Sequence, residues 1–95
     1  MLTHAELKKR ALSKPEVKRA YDELEDEYKL ARELIHARSV AGLTQEEVAE
    51  KMHTKAPAIA RLESGRKHSP SIETLRKYAS AVGCRLEVRL VPTNG

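Results

Sequence analysis

Ninety-five residues with 40% hydrophobic side chains, three Tyr and no Trp or Phe allow one compact domain with a thin core. Such domains often gain stability from a partner chain. The single cysteine, Cys84, excludes an intrachain disulfide. With no signal-like apolar stretch, it points to a reducing, cytoplasmic setting, and no run approaches the roughly 20 apolar residues of a membrane span. The formal net charge of +4 is unevenly laid out: residues 51–95 hold nine bases against three acids, while acids outnumber bases across 16–50. A basic C-terminal half suits a polyanion such as DNA.

Three S/T-x-x-E capping boxes, Thr3–Glu6, Ser13–Glu16 and Thr44–Glu47, predict helix starts near 4, 14 and 45. In each the hydroxyl accepts from a first-turn N–H while the glutamate bonds back to the cap residue. Pro15 agrees with the second start. That second helix is long. Val17, Tyr21, Leu24, Tyr28, Ala31 and Ile35 recur at alternating spacings of four and three, a seam facing a neighbour through five turns. Leu30, Leu34 and Ala37 add a second stripe in the latter half, which therefore sits in the fuller core. Gly42 stands where a left-handed cap residue ends the helix.

Three shorter helices follow over 45–52, 56–64 and 71–82, closed in turn by the 53–55 turn, Gly65 and Gly83, with Ser69 or Ser71 capping the last. The tail changes period. Cys84, Leu86, Val88 and Leu90 alternate with Arg85, Glu87 and Arg89, which predicts a strand with one apolar face. A lone strand leaves its backbone groups unpaired, so its simplest partner is a second copy across a two-fold axis, making a homodimer.

Two helices of about eight residues joined by three, with the small Ala49 at their approach and Val48, Met52, Ile59 and Leu62 spaced to form a shared core, are the physics of a helix-turn-helix. The segments GLTQEEVAEKM, AIARLESG and PSIETLRKYASAVG occur in the order seen in the lambda-repressor-like (Xre-type) helix-turn-helix family, which the chain resembles from about residue 28 to 83. The resemblance implies an all-α, five-helix fold of which this chain supplies the last four helices. It also implies double-stranded operator DNA as a partner. By position, Lys55, Ala56, Pro57 and Arg61 match base-reading positions, and Thr44 and Gln45 match a phosphate contact at a helix N-terminus. Arg66, Lys67 and His68 match a second phosphate contact, and Arg38 and Glu63 match a structural ion pair.

The sequence departs from the family pattern at the turn. His53-Thr54-Lys55 lacks the usual glycine where positive φ is needed, which His tolerates only moderately. Ala56 and Pro57 offer apolar contact alone at the start of the recognition helix, so hydrogen-bonded readout rests on Lys55 and Arg61.

Residues 1–27 form an N-terminal helical extension beyond what a repressor of this kind requires. Its acidic run Asp22-Glu23-Leu24-Glu25-Asp26-Glu27 beside an apolar seam suits a basic partner with an apolar groove. From KPEVKRAYDELEDEYKLARELI to CRLEVRLVP the chain resembles antitoxins of the HigA type. That resemblance implies repression of its own operon and neutralisation of a RelE/HigB-like ribonuclease toxin, with Val17, Tyr21, Leu24, Asp22 and Glu25 as toxin-binding candidates. The alternative is a plain Xre-type repressor with no toxin, and on either reading the protein is cytoplasmic and nucleoid-associated when bound to DNA. The expected organisation is an extension over 1–27, a helix-turn-helix domain over 28–83, a dimerisation strand over 84–91 and a flexible tail over 92–95. Four separated histidines and one cysteine show no metal-ligand spacing, and no nucleophile set or phosphate loop suggests an enzyme or a cofactor.

Overall fold

The computed structural model describes residues 5, 6, 9, 14–65 and 69–93, and its regular elements are helices: α1 (Pro15–Ala41), α2 (Gln45–Lys51), α3 (Ala56–Leu62) and α4 (Ile72–Ala81). The predicted start near residue 4 and its Thr3 cap lie outside the described residues, although residues 5, 6 and 9 are helical. Lys14 occupies the N-cap of α1, with no side-chain cap bond, and the predicted cap Ser13 lies outside the described residues. Pro15, which has no N–H to satisfy, sets the first turn there.

At α2 the capping box is complete. Thr44 Oγ1 accepts from Glu47 N at 3.1 Å, and Glu47 Oε1 accepts from Thr44 N at 3.0 Å. Ser71, rather than Ser69, caps α4 by accepting from Thr74 N.

Three of the helix ends share one device. Gly42 N donates to Ser39 O and Leu43 N to Arg38 O, the paired closure that a left-handed residue permits, with Gly42 at φ 72°. The same pair closes α4 around Gly83 and α2 around His53, where Thr54 N donates to Ala49 O at 2.8 Å. His53 thus takes glycine's place at φ 58°. A side chain in that region costs about 1–2 kcal/mol, offset in part by the extra entropy that glycine loses on folding. We expect His53→Gly to stabilise the domain by about 1 kcal/mol, read as a rise in urea midpoint at unchanged slope.

The core gathers Leu34 of α1, Val48 and Ala49 of α2, Ile59 of α3, and Leu75, Tyr78 and Val82 on and just after α4, with Leu30, Ala37, Met52, Leu62 and Leu86 packed around it. The small Ala49 lets α2 and α3 approach. The front of α1 stands apart from this core. At 1.5 Å per residue its 27 residues run about 40 Å, against a longest molecular dimension of 46 Å. Its buried residues begin only at Ala31. Along the seam Val17, Leu24, Tyr28 and Ile35 are each about 40% exposed. The latter half does enter the core, chiefly through the Leu30, Leu34 and Ala37 stripe, with Ala31 the one buried residue of the seam.

One expectation is overturned. Residues 84–93 form no strand, and the described residues contain none. Alternation fixes which side chains share a face, but a strand needs a neighbour to accept its N–H groups, and a single chain has none. Leu86 instead packs against the core, while Val88 and Leu90 are exposed.

Candidate nucleic-acid interface

The turn from Met52 to Lys55 joins α2 to α3, the two helices pack against each other, and Ile59 is fully buried in the core they share. A helix with one residue pinned inward presents those two before, one or two after and five after it on the opposite side. On α3 and in the turn that follows it these are Pro57, Ala60, Arg61 and Ser64, and all four are exposed. Lys55, at the N-cap, is exposed beside them, while Ala56 is half-buried. Ala60 and Ser64 were not among the sequence candidates, yet their spacing from Pro57 places them on the same face. Ser64 Oγ donates to Arg61 O at 2.8 Å.

Behind this face sits a charged node. The Arg38 guanidinium grips the Glu63 carboxylate at both oxygens, Nε to Oε2 and Nη2 to Oε1, each at 2.8 Å, and its Nη1 donates to Leu43 O at 3.1 Å. Gln45 Nε2 donates to Glu63 Oε1 at 3.1 Å, and the Tyr78 hydroxyl lies 2.7 Å from Oε2 and 2.8 Å from Leu34 O. One carboxylate at the end of α3 therefore binds α1, α2 and α4 together.

Burial pushes the Glu63 carboxyl up, but the hydrogen bonds from Arg38, Tyr78 and Gln45 and the Arg38 charge outweigh it and hold the group below its ordinary value. Hydrogen bonding to Glu63 outweighs desolvation and raises Arg38. Burial, with the adjacent carboxylate, raises Tyr78. Tyr78 was missed at the sequence level, where it is only one of three tyrosines.

The phosphate candidates divide. Thr44 is exposed at the start of α2 with its oxygen committed to the cap, and the Gln45 side chain is turned to Glu63. Arg66, Lys67 and His68 lie outside the described residues. The residue before them, Gly65, is buried at φ 70°, and the Tyr28 ring of α1 covers it, with Cε1 2.8 Å from where a Cβ would stand. Gly65→Ala therefore meets both a strained backbone and an aromatic ring. We expect it to cost at least 2 kcal/mol, about the sum of the left-handed penalty and an overpacked contact, measured by thermal denaturation.

On α1, Val17, Asp22, Leu24 and Glu25 are exposed and Tyr21 is half-buried, its hydroxyl donating to Glu25 Oε1 at 3.1 Å. Among the described residues no group of three or more His, Cys, Asp or Glu could hold a metal ion, and no helix is long and apolar enough to cross a membrane.

Residues 41–88 match the helix-turn-helix family model. The chain is also 33% identical over 79 residues, 83% of its length and 77% of the relative's, to "Putative antitoxin HigA2" of Mycobacterium tuberculosis. No solved structure matches it. With its two packed helices, capped turn and open outer face, the chain belongs to the Xre-type helix-turn-helix family of DNA-binding regulators and is similar over most of its length to a HigA-type antitoxin.

Proposed function

We propose that the protein is an antitoxin that binds operator DNA as a homodimer, represses its own operon, and neutralises a small basic ribonuclease of the RelE/HigB kind. The observation that carries the DNA-binding part is the free outer face of α3, with Lys55 and Arg61 exposed on it and its inner face locked by Ile59 and Glu63. Thr44, Arg66, Lys67 and His68 supply phosphate contacts in this reading, as does the backbone N–H of Gln45. A gel shift across salt concentrations tests it: affinity must fall steeply as salt rises, as counterion release requires. Affinity indifferent to salt would remove it.

The antitoxin part rests on the similarity to the mycobacterial protein and on the front of α1. There Val17 and Leu24 stay exposed beside Asp22 and Glu25, an apolar strip edged with negative charge that suits a basic partner. Co-expression with the product of the neighbouring small reading frame should yield a stable complex that Leu24→Asp breaks. A chain whose partners and repression all survive deletion of residues 1–27 is a plain repressor.

Homodimerisation draws on the tail, where Val88 at 62%, Leu90 at 96% and Val91 at 80% exposure leave an apolar surface open. A second copy covering it would set two recognition helices about one DNA turn apart, roughly 34 Å. Leu90→Asp, at a site that touches little of its own chain, should yield a folded monomer with weakened binding to a palindrome.

A further inference from the structure

The reading surface of α3 is unusual in its chemistry. Of its four outward side chains, Pro57 and Ala60 are wholly apolar, the Ser64 hydroxyl proton is used on the Arg61 carbonyl, and Arg61, joined by Lys55 at the N-cap, is the long hydrogen-bonding group. Distinguishing adenine by hydrogen bonds takes Asn or Gln, and distinguishing cytosine takes Asp or Glu. None of these stands on this face. What an apolar side chain can distinguish in the major groove is the thymine C5-methyl, while arginine pairs with guanine O6 and N7.

Resting on the DNA-binding role proposed above, we infer that Pro57 and Ala60 are specificity-determining residues that read thymine methyl groups beside a guanine read by Arg61. The three positions span four residue steps of helix, about 6 Å of rise, so the contacts fall within two base-pair steps at about 3.4 Å each. Each half-site then holds at least one contacted thymine within two base pairs of a G·C pair. Removing a methyl from such a contact strips away about one CH₂ of buried apolar surface, or about fourfold in affinity per methyl. Shape readout, the competing source of preference, acts through groove width and stacking and is not aimed at one methyl.

The test uses the full chain. Preferred duplexes are selected from a random pool, and each thymine of the selected half-site is then replaced singly by deoxyuridine, which deletes the methyl and keeps the pairing. The expected result is about a fourfold loss at one or two positions within two base pairs of a guanine, and little elsewhere. Ala60→Gln, at an exposed position and with an unchanged melting temperature as its folding control, should lose thymine-over-deoxyuridine discrimination at one of them. It should also shift the preference there towards adenine. Selected sites without thymine near a guanine, or deoxyuridine tolerated at every position, would overturn the inference while leaving DNA binding intact. A protein that selects no duplex at all takes away the DNA-binding role itself, and this inference with it.

Discussion

Glu63→Gln should destabilise the domain by about 3 kcal/mol, the largest effect of any single substitution considered for this fold. The substitution keeps the shape of the side chain and one carbonyl oxygen, but leaves the Arg38 guanidinium without its counter-charge. Breaking one partner out of a buried ion pair costs about 3–5 kcal/mol. The lower end applies because the Arg38 side chain keeps 18% of its surface in water, against 3% for Glu63. Against a total stability of roughly 5–15 kcal/mol, this is a large share. Thermal unfolding should show a drop of roughly 12–24 °C, using about 4–8 °C per kcal/mol for a domain of this size.

The same group sets an acid limit. Its folded pKa lies below its ordinary value of 4.5, so the unfolded chain binds the proton first. Its contribution is complete above about pH 5 and is lost as the pH falls through 4.5 towards the lower folded value. In urea titrations run from pH 6 to pH 3, the parent should lose stability more steeply than Glu63→Gln. Parallel slopes would mean that the carboxylate is not held ionised by its partners.

Arg61→Ala should weaken binding to the preferred duplex by about 5- to 150-fold per half-site, the equivalent of about 1–3 kcal/mol for a bidentate base contact. The loss should be confined to one base position. Competition with variants of the selected site should show that the mutant no longer distinguishes guanine there, while the salt dependence barely changes. Replacing Lys67 with alanine should do the reverse, weakening all sequences alike and lowering the salt slope by about one. If Arg61→Ala leaves sequence preference untouched, the side chain is surface decoration on α3.

Local chemistry was legible wherever a residue acts on its near neighbours. Thr44 with Glu47, and Gly42 at its left-handed turn, depend on groups at most five residues away, and both stand where spacing placed them. Of the shared core that spacing gave, Val48 and Ile59 are buried and Met52 and Leu62 pack partly buried against them. What escaped were relations set by tertiary approach. Nothing in the spacing of Tyr78 shows that its hydroxyl meets a carboxylate fifteen residues earlier. Gln45 has the same amide whether it meets a phosphate or Glu63, and in this chain Glu63 holds it. The tail failed for a different reason. Of its alternating apolar residues only Leu86 packs inward, while Cys84, Val88 and Leu90 are exposed, because pairing is a property of two segments and one chain supplies one. On α3, Ala60 and Ser64 could have been found by extending the spacing from Pro57 by three and seven.

The helix α1 is one object in length and two in protection. From Ala31 onward it is anchored by the core, but its first four turns have almost no tertiary burial and their backbone bonds are open to solvent. Amide hydrogen exchange should therefore be graded along a single rod, with residues past Ala31 exchanging only when the whole domain opens and those before Tyr28 through local fraying. A protein settling onto the front turns would quench that fraying, so the same graded exchange pattern, recorded with and without it, would map its footprint residue by residue.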